Sequence, residues 1–250
     1  MEIKRNIHFI LSISLILLAN QSFSQKTVKD FGFAKYEVIY KHYREAPDGN
    51  NIVVREDKTI LDYDKLLNNY TSFLYFNNVF SKYETTSTGS PRDFIGNALT
   101  NLYDTYYNCL PKKEQLVERV HKGYIEYISD DRPLVWEISQ DTILINGLQC
   151  IKAIGKKQSP GWNADIFIAW FTPDIPAPFG PNDMNGLPGL ILKYKWAYSV
   201  VEAVNIKELT DQKYKLELPN SKDVISYNVK ALEAKKKRAE ILKNKTTRKN

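Results

Sequence analysis

The stretch NGLPGLIL, residues 185–192, places a tight turn directly before a run of bare aliphatic side chains. It ends a segment, residues 173–189, that holds five prolines and three glycines. Each proline fixes φ and removes a backbone donor, so the segment is predicted to be a stiff surface loop rather than a central strand. Pro188 and Gly189 suit the central positions of a type II turn, which would give Gly189 a positive φ. The turn would set the register of a core strand from Leu190, with Leu187 packing the loop onto the core.

Most of the remaining chain reads as short β-strands. Polar and apolar residues alternate in KYEVIYKHY (35–43) and GYIEYIS (123–129), and Asn146-Gly147 inside DTILINGLQCIKAIG (141–155) marks a hairpin. No strand is followed by a helical crossover of the usual length, which disfavours a parallel sheet. The pattern predicts a mainly β fold: a single antiparallel, strongly curved sheet or half-barrel, similar to the periplasmic lipoprotein carriers.

The only convincing helical segment is late, at about 221–245, with Ser221 able to cap its start. It has good helix formers and almost no apolar stripe, which is typical of a solvated helix. The chain is therefore divided into a signal segment (1–24), one antiparallel β domain (25–229) and a basic helical or frayed tail (230–250).

The first residues have the three-part layout of a secretory signal peptide. Lys4 and Arg5 precede an apolar run, and Ser22 and Ser24 supply small residues for a cleavage site. A membrane anchor is the alternative, but the run is shorter than the roughly 20 residues of a spanning helix. No cysteine stands directly after the apolar run, at the predicted cleavage site, which argues against a lipid anchor. We expect an exported protein that is periplasmic or associated with the outer membrane.

The net charge of +6 belongs to the tail rather than to the β domain. Residues 230–250 carry nine Lys or Arg and two Glu, whereas residues 25–229 have a net charge of −2. A nucleic-acid surface needs basic residues spread over a folded face, so nucleic acid is not an expected partner. The basic tail allows peripheral contact with a membrane.

Cys109 and Cys150 are the only cysteines. An oxidising compartment would permit a disulfide between them, worth roughly 4 kcal/mol on the chain-entropy model. The alternative is two buried free thiols, and two cysteines alone do not decide between these states.

Several motifs around the Pro/Gly segment occur together in one known family. GLPGLI (186–191) is preceded in order by VWEI (135–138), NGLQCIKA (146–153), AWFTPDIP (169–176) and the Gly180-Pro181 pair. In these motifs the chain resembles the GLPGLI family of exported bacterial proteins, over most of the chain before residue 230. The resemblance implies export across the inner membrane and association with outer-membrane TonB-dependent receptors. It implies no established activity and offers no catalytic residues.

The sequence holds no recognisable catalytic or metal-binding motif. His42 and His121 are the histidines beyond the signal segment, and neither has a metal-ligand spacing. Carboxylates that could act as an acid–base pair are Asp165, Asp174 and Asp183. We expect no cofactor and no metal.

Three functions remain open. The favoured one is a non-enzymatic envelope protein that binds a partner or ligand through Trp162, Phe179 and Leu187, with Gly186, Leu187, Pro188, Gly189, Leu190 and Ile191 as a structural motif. The second is a soluble carrier of a lipid or other hydrophobic molecule, whose cavity would be lined by strand aromatics. The third, with least support, is a carboxylate-dependent hydrolase.

Overall fold

The computed structural model describes residues 30–47, 49, 51–54, 60–89, 100–121, 123–158, 164–219 and 223–247. The predicted signal segment lies outside these ranges. Sixteen strands and two helices form within them. The strands are β1 (Asp30–Phe33), β2 (Tyr36–Arg44), β3 (Ile52–Val54), β4 (Ile60–Asp62), β5 (Tyr70–Phe76), β6 (Phe80–Ser87), β7 (Asp104–Cys109), β8 (Glu114–His121), β9 (Tyr124–Ser129), β10 (Leu134–Ile145), β11 (Leu148–Lys157), β12 (Asp165–Thr172), β13 (Leu190–Trp196), β14 (Ser199–Glu208), β15 (Lys215–Glu217) and β16 (Val224–Ser226). The helices are α1 (Tyr63–Leu67) and α2 (Tyr227–Thr247).

Twelve of the strands form one large mixed sheet. Its order is β10-β11-β12-β13-β14-β2-β5-β6-β7-β8-β9-β16. Neighbours pair antiparallel except β16, which runs parallel to β9. Two further two-stranded sheets, β1-β15 and β3-β4, stand apart from it. The outer strands of the large sheet are β10 and β16, so the sheet is not closed into a barrel.

The mainly β composition and the C-terminal helix are as expected, but the predicted single antiparallel, strongly curved sheet or half-barrel is wrong. The difference lies in β16, which adds a parallel strand, and in the two small sheets. Val224–Ser226 is too short to show a period of two. Its pairing with β9 is supported by contacts between residues far apart in the chain, including the bond that Ser226 Oγ donates to Asp131 Oδ2 at 2.7 Å. The sequence carries no local signal for such a strand.

The long strands follow their alternation. In β2 the side chains of Val38, Tyr40 and His42 are buried, whereas Lys41 between them is exposed. The predicted hairpin turn at Asn146 and Gly147 is confirmed, because both residues have the positive φ (50° and 77°) that a tight hairpin turn requires.

Two structural details lacked a clear sequence signal. The strands β13 and β14 are separated by a turn at Ala197, which adopts a φ of 51° without being Gly or Asn. The short helix α1 begins after Asp62, whose side chain accepts a hydrogen bond from Lys65 N.

Residues 173–189, termed here the Pro/Gly loop, are partly buried rather than lying over the surface as predicted. Phe179, Met184 and Leu187 belong to the main hydrophobic core. Backbone groups of the loop are paired within the loop and with β13, since Gly186 N donates to Pro178 O at 3.1 Å and Ile191 N of β13 donates to Phe179 O at 2.9 Å. Prolines lack a donor, so the loop has fewer groups to satisfy when it is buried.

The loop also joins distant parts of the large sheet. The backbone carbonyl of Asn185 accepts a bond from Trp136 Nε1 of β10 at 2.8 Å, and its side-chain amide donates to Asn108 Oδ1 of β7 at 3.2 Å. The strands β10 and β7 lie far apart in the sheet order. The Pro/Gly loop therefore packs between the two halves of the sheet and contributes to the core of both.

The helix α2 begins at Tyr227, later than the predicted start, because Val224–Ser226 is a strand. The proposed cap, Ser221, lies outside the described residues. Neither of the two described helices is long and apolar enough to cross a membrane.

Candidate functional site

Four charged side chains from three separate segments meet beside the Pro/Gly loop. Lys157 Nζ lies 2.7 Å from Asp130 Oδ2 and 2.8 Å from Asp183 Oδ2. Arg132 Nη2 contacts the same two oxygens at 2.8 and 3.1 Å, and Arg132 Nε donates to Asp130 Oδ1 at 2.8 Å. We term these four residues the ion cluster. Its two cations and two carboxylates balance, which is the condition under which charges are tolerated away from water.

The local structure around each residue of the ion cluster explains how its side chain is positioned. Lys157 is the last residue of β11 and follows Ala153 and Gly155 on the inward-facing positions of that strand. Asp130 and Arg132 stand in the connection between β9 and β10. Asp183 follows Asn182, whose φ of 54° turns the Pro/Gly loop, and Pro181 O accepts from Met184 N across the turn.

Electrostatics favour the ionised forms of Asp130 and Arg132. Burial by itself would raise the pKa of Asp130, but the hydrogen bonds from Arg132 and the charge of Lys157 outweigh it and hold that pKa well below its usual range. Burial would lower the pKa of Arg132, yet its bonds to Asp130 keep it above its ordinary value. The bidentate contact between Arg132 and Asp130 is therefore a charged, structural pair at neutral pH.

A surface pocket of about 390 Å³ opens beside the ion cluster. Three segments contribute to its wall: the β7–β8 hairpin, the β9–β10 connection and the Pro/Gly loop. We term it the amide pocket, after the side-chain amides in that wall. Its lining residues are Asn108, Cys109, Leu110, Lys113, Glu114, Gln115, Asp130, Asp131, Arg132, Leu134 and Asn185.

The amides of this pocket are tied to the loop. Asn185 Nδ2 donates to Asn108 Oδ1 and to Asp183 O, both at 3.2 Å, and Gln115 Nε2 donates to Asp183 O at 3.4 Å. Asp183 thus joins the ion cluster through its carboxylate and the pocket wall through its carbonyl. The wall is held in place before any ligand arrives, which lowers the entropic cost of binding.

The start of α2 is attached to the same wall. Asp131 accepts bonds from Ser226 Oγ at 2.7 Å and from Asn228 N at 3.4 Å. The Arg132 guanidinium carbon lies 3.5 Å from the centre of the Tyr227 ring, and Lys230 forms an ion pair with Glu126. The first turn of the helix is fixed to the pocket, while the later side chains up to Ile241 are mostly exposed.

A second, smaller pocket of about 220 Å³ lies at the tip of the β13–β14 hairpin. Arg44 stacks there between the rings of Tyr63 and Tyr198, 4.8 and 5.3 Å from their centres. Leu67, Trp196, Ala197 and Ser199 complete the lining. It shares no residue with the amide pocket.

The predicted binding residues do not form one surface. Phe179 and Leu187 are 0% and 1% exposed, with Phe179 packed 5.9 Å from the Phe76 ring. Their contacts are with the core, so in this structure they offer no surface to a partner. Trp162 lies outside the described residues.

The GLPGLI motif is held by close packing and not by the predicted type II turn. The φ of Gly189 is not positive, so that prediction is wrong; the positive φ in the motif, 85°, belongs to Gly186. At Gly189 an added Cβ would stand 2.1 Å from Thr172 O, so a side chain cannot fit against the end of β12. Leu190 and Ile191 are fully buried, and Pro188 is exposed.

Only one of the three candidate carboxylates enters the ion cluster. Asp183 is a member, and Asp165 lies opposite Lys157 in the β11–β12 register. Asp165 and Asp183 both add to the effect of burial in raising the pKa of Tyr194. Asp174 stands apart in an exposed turn, where its backbone N–H donates to Thr172 Oγ1.

The two histidines also differ in setting. His42 is buried, and its Nε2 lies 2.6 Å from Ser72 Oγ, which in turn lies 2.7 Å from Thr85 Oγ1. Burial lowers the pKa of His42 to about 4, and its Nδ1 has no hydrogen-bond partner among the described residues. The Ser–His contact has the separation of a catalytic pair, but both side chains are closed off from substrate. The backbone of His121 ends β8, and its side chain is not described.

Cys109 and Cys150 are both buried free thiols. They belong to different hydrophobic clusters, Cys150 to the main core and Cys109 to the smaller one around Phe80. The structure therefore takes the second of the two alternatives that the sequence left open. Within the described ranges, no group of three or more His, Cys, Asp and Glu side chains could hold a metal ion.

Asp130, Arg132 and Lys157 were not predicted from the sequence as site residues. The alternation of β11 carried one signal, because Lys157 falls in phase with the inward-facing residues of an apolar strand. A lysine in that phase requires a buried carboxylate partner. The carboxylate partners of Lys157 are Asp130, 27 positions earlier in the chain, and Asp183, 26 positions later. No sequence spacing predicts contacts between residues so far apart.

Two solved structures and one family model are similar to this chain. Two crystal forms of a protein named PNGF-II, C2 and P21, have TM-scores of 0.47 and 0.48 and 18% identity to this chain. They cover 76% and 77% of this chain, which spans only 30% and 31% of theirs. No curated protein matches.

A family model described as "Protein of unknown function (Porph_ging)" matches residues 156–193. The match runs from the end of β11 to β13. It includes Lys157 and Asp183 of the ion cluster and the whole of the GLPGLI motif. The chain is thus similar, over this segment, to a family whose function is not known.

Proposed function

We propose that this protein is an exported cell-envelope protein of the GLPGLI type that binds a partner or ligand without catalysing a reaction. In this proposal the amide pocket is the binding site, and the protein acts together with an outer-membrane TonB-dependent receptor. The membership and the receptor come from the motif resemblance, and the site comes from the geometry described above.

The observation that carries the proposal is a polar pocket whose wall is preorganised by a buried ion cluster. Removing four charges from water costs free energy, which the cluster offsets only through its mutual contacts. A pocket with convergent amide, carboxylate and cationic groups on such a support fits a polar ligand, such as an extended peptide segment. The Ser72–His42 contact lies away from this pocket and is buried, so it adds no reactive group to the pocket.

The test compares two neighbouring lysines in the β7–β8 turn. Lys113 lines the pocket, whereas Lys112 is exposed in the same turn and is not part of the lining. Proteins are captured from envelope extracts by mild cross-linking, with wild type, Lys113→Glu and Lys112→Glu as baits. We expect the wild type and Lys112→Glu to recover the same outer-membrane receptor and Lys113→Glu to lose it. Equal recovery by all three baits would place the binding surface elsewhere, and recovery of no envelope protein would refute the proposal.

The carrier and hydrolase alternatives remain predictions from the sequence. Mass spectrometry of an organic extract of the purified protein tests the carrier, because a bound lipid would appear there. No described feature favours either alternative over the binding function.

A further inference from the structure

The smaller pocket, at the tip of the β13–β14 hairpin, differs in chemistry from the amide pocket. We term it the aromatic pocket, after Tyr63, Trp196 and Tyr198 in its lining. Among the described residues that line it, Arg44 alone carries a charge, and the rest are Leu67 and two small residues of the hairpin. The amide pocket, by contrast, is lined by charges of both signs. An apolar lining with one cation is complementary to an apolar ligand that carries one negative charge.

Three elements of the fold build the aromatic pocket. Tyr63 and Leu67 stand four residues apart on α1, so they share one face of that helix. Arg44 is the last residue of β2, which pairs with β14. The backbone N–H of Glu45 donates to Tyr198 O at 2.9 Å, and this bond fixes the hairpin tip to the end of β2. The walls of the pocket are therefore in place before a ligand binds, which lowers the entropic cost of binding.

Two aromatic rings hold the cation in the wall. The guanidinium carbon of Arg44 lies 4.8 Å from the centre of the Tyr63 ring and 5.3 Å from the centre of the Tyr198 ring. Stacking on aromatic faces orients the planar guanidinium group. The carboxylate of the adjacent Glu45 is bonded to two lysines of β13 and is not part of the lining. The position of the positive charge within the pocket is thereby defined.

The size of the aromatic pocket selects a small ligand. Its volume of about 220 Å³ is below the roughly 300–1,000 Å³ that is usual for a drug-sized ligand. An apolar cavity of about 150 Å³ is enough to hold benzene. Leu67 is 2% exposed and forms the inner end of the pocket, whereas Trp196 and Tyr198 are 49% and 48% exposed at its mouth. The space fits one ring with a short acidic group and is too small for a long acyl chain.

We propose that the aromatic pocket binds a single aromatic ring that carries a carboxylate, with the ring against Trp196 and Tyr198 and the carboxylate at Arg44. Aromatic rings gain from contact with one another beyond the area that they bury. Arginine has five N–H donors, so it can bind a carboxylate while it keeps other contacts. This site is independent of the binding proposed at the amide pocket, because the two pockets share no residue.

The same ligand chemistry occurs in a free aromatic acid and at the end of a peptide whose last residue is phenylalanine. The first experiment therefore titrates the wild-type protein, followed by NMR, with benzoate and with the peptide Gly-Gly-Phe. Benzyl alcohol has the same ring without the charge, cyclohexanecarboxylate has the charge without the aromatic ring, and benzamidine has the ring with the opposite charge.

We expect benzoate, Gly-Gly-Phe or both to bind about tenfold more tightly than benzyl alcohol and cyclohexanecarboxylate, and benzamidine not to bind. Binding of benzoate identifies a free acid as a ligand, and binding of Gly-Gly-Phe alone identifies a peptide end. The proposal is overturned when neither acid binds, or when benzyl alcohol or benzamidine binds as tightly as the acids.

The second experiment locates the site with variants of the full chain. Arg44→Gln removes the charge of the pocket and should weaken binding of the acid about tenfold. Lys41→Gln is the matched control, because Lys41 is an exposed cation on the same strand and outside the lining. Equal affinity of Arg44→Gln and wild type would overturn the proposal, as would an equal loss in Lys41→Gln.

Two further variants cover the remaining outcomes. Tyr198→Ala removes an exposed ring at the hairpin tip and should also weaken binding, so the site can be tested even when Arg44→Gln fails to fold by circular dichroism. Lys113→Glu changes the amide pocket alone. Loss of acid binding in Lys113→Glu, with binding retained in Tyr198→Ala, would place the acid in the amide pocket and overturn the proposal.

Discussion

Lys157 Nζ and Asp130 Oδ2 lie 2.7 Å apart, and the two side chains are 0% and 1% exposed. Both side chains are shielded from bulk solvent, so each charge depends on the other and on Arg132 and Asp183. The contact connects β11 to the β9–β10 connection and fixes the wall of the amide pocket.

Replacing Lys157 by Met should destabilise the protein by about 3–5 kcal/mol, because two buried carboxylates are then left with one cation. Lys152→Met is the control in the same strand. Its ion pair with Asp141 is exposed to solvent, so its loss should cost much less than the loss of Lys157. Urea unfolding of the two variants measures both values. Similar losses would mean that the cluster contributes no more than a surface pair.

Gly189→Ala should destabilise the protein by roughly 3 kcal/mol or more, because the new Cβ would clash with the backbone of Thr172 and force β12 and β13 apart. Gly186→Ala tests the other kind of glycine in the motif. Its φ is 85°, but the nearest atom to an added Cβ is 4.0 Å away, so only backbone strain of about 1–2 kcal/mol applies. Thermal unfolding of both variants should rank Gly189→Ala well below Gly186→Ala. The reverse order would contradict the close packing described at Thr172.

Stability should fall as the pH drops from about 6.5 to 4. The folded-state pKa of His42 is lowered to about 4 by burial, whereas the unfolded chain takes up a proton near 6.5. Between these pH values the unfolded chain binds a proton that the folded protein does not. The free energy of unfolding should therefore fall by up to about 3 kcal/mol across this window. Denaturant unfolding at several pH values measures the slope. The His42→Gln variant, although less stable throughout, should show a flatter dependence over this window, and parallel curves for the two proteins would exclude His42 as the cause.

Both thiols should be unreactive in the folded protein. Burial raises the pKa of the Cys150 thiol to about 11, and Cys109 is also buried with a raised pKa. A thiol reagent should therefore label neither residue at neutral pH and should label both once the protein is unfolded. Intact mass before and after reduction provides the check. A gain of two mass units on reduction would reveal a disulfide, in conflict with the separate locations of the two residues.

Local chemistry made much of the fold predictable. Alternation identified β2 and β9, and Asn146-Gly147 identified the β10–β11 hairpin, because in both cases the signal lies within a few residues. The same reasoning failed for β16, whose three residues have no period and whose partner is about a hundred positions earlier. It also failed for Ala197, since tertiary pairing of β13 with β14 imposes a positive φ on a residue that has no preference for it.

The site was less predictable than the fold. The prolines correctly marked the Pro/Gly loop as irregular, and the expectation that Leu187 packs the loop onto the core is confirmed, but nothing in the sequence indicated that Phe179 would be buried with it. The glycine requirement at position 189 was expected from backbone conformation, whereas the structure attributes it to the space beside Thr172. Such space is defined by a neighbouring strand, so only the assembled sheet reveals it. The ion cluster was unpredictable for the same reason, because its members come from three segments of the chain that meet only in the folded protein.

The sheet order has a consequence for how the chain acquires its structure. The strand β2, near the start, pairs on one side with β5 and on the other with β14, and Tyr40 Oη donates to Ile191 O across 151 residues. A chain that emerges from its N-terminus can form the β5 to β9 meander early, but one side of β2 stays bare until Glu208 has appeared. Closure of such distant contacts is slow. Nascent chains that end before β14 therefore present an open edge on β2, and the main core is completed only after β13 and β14 have been made.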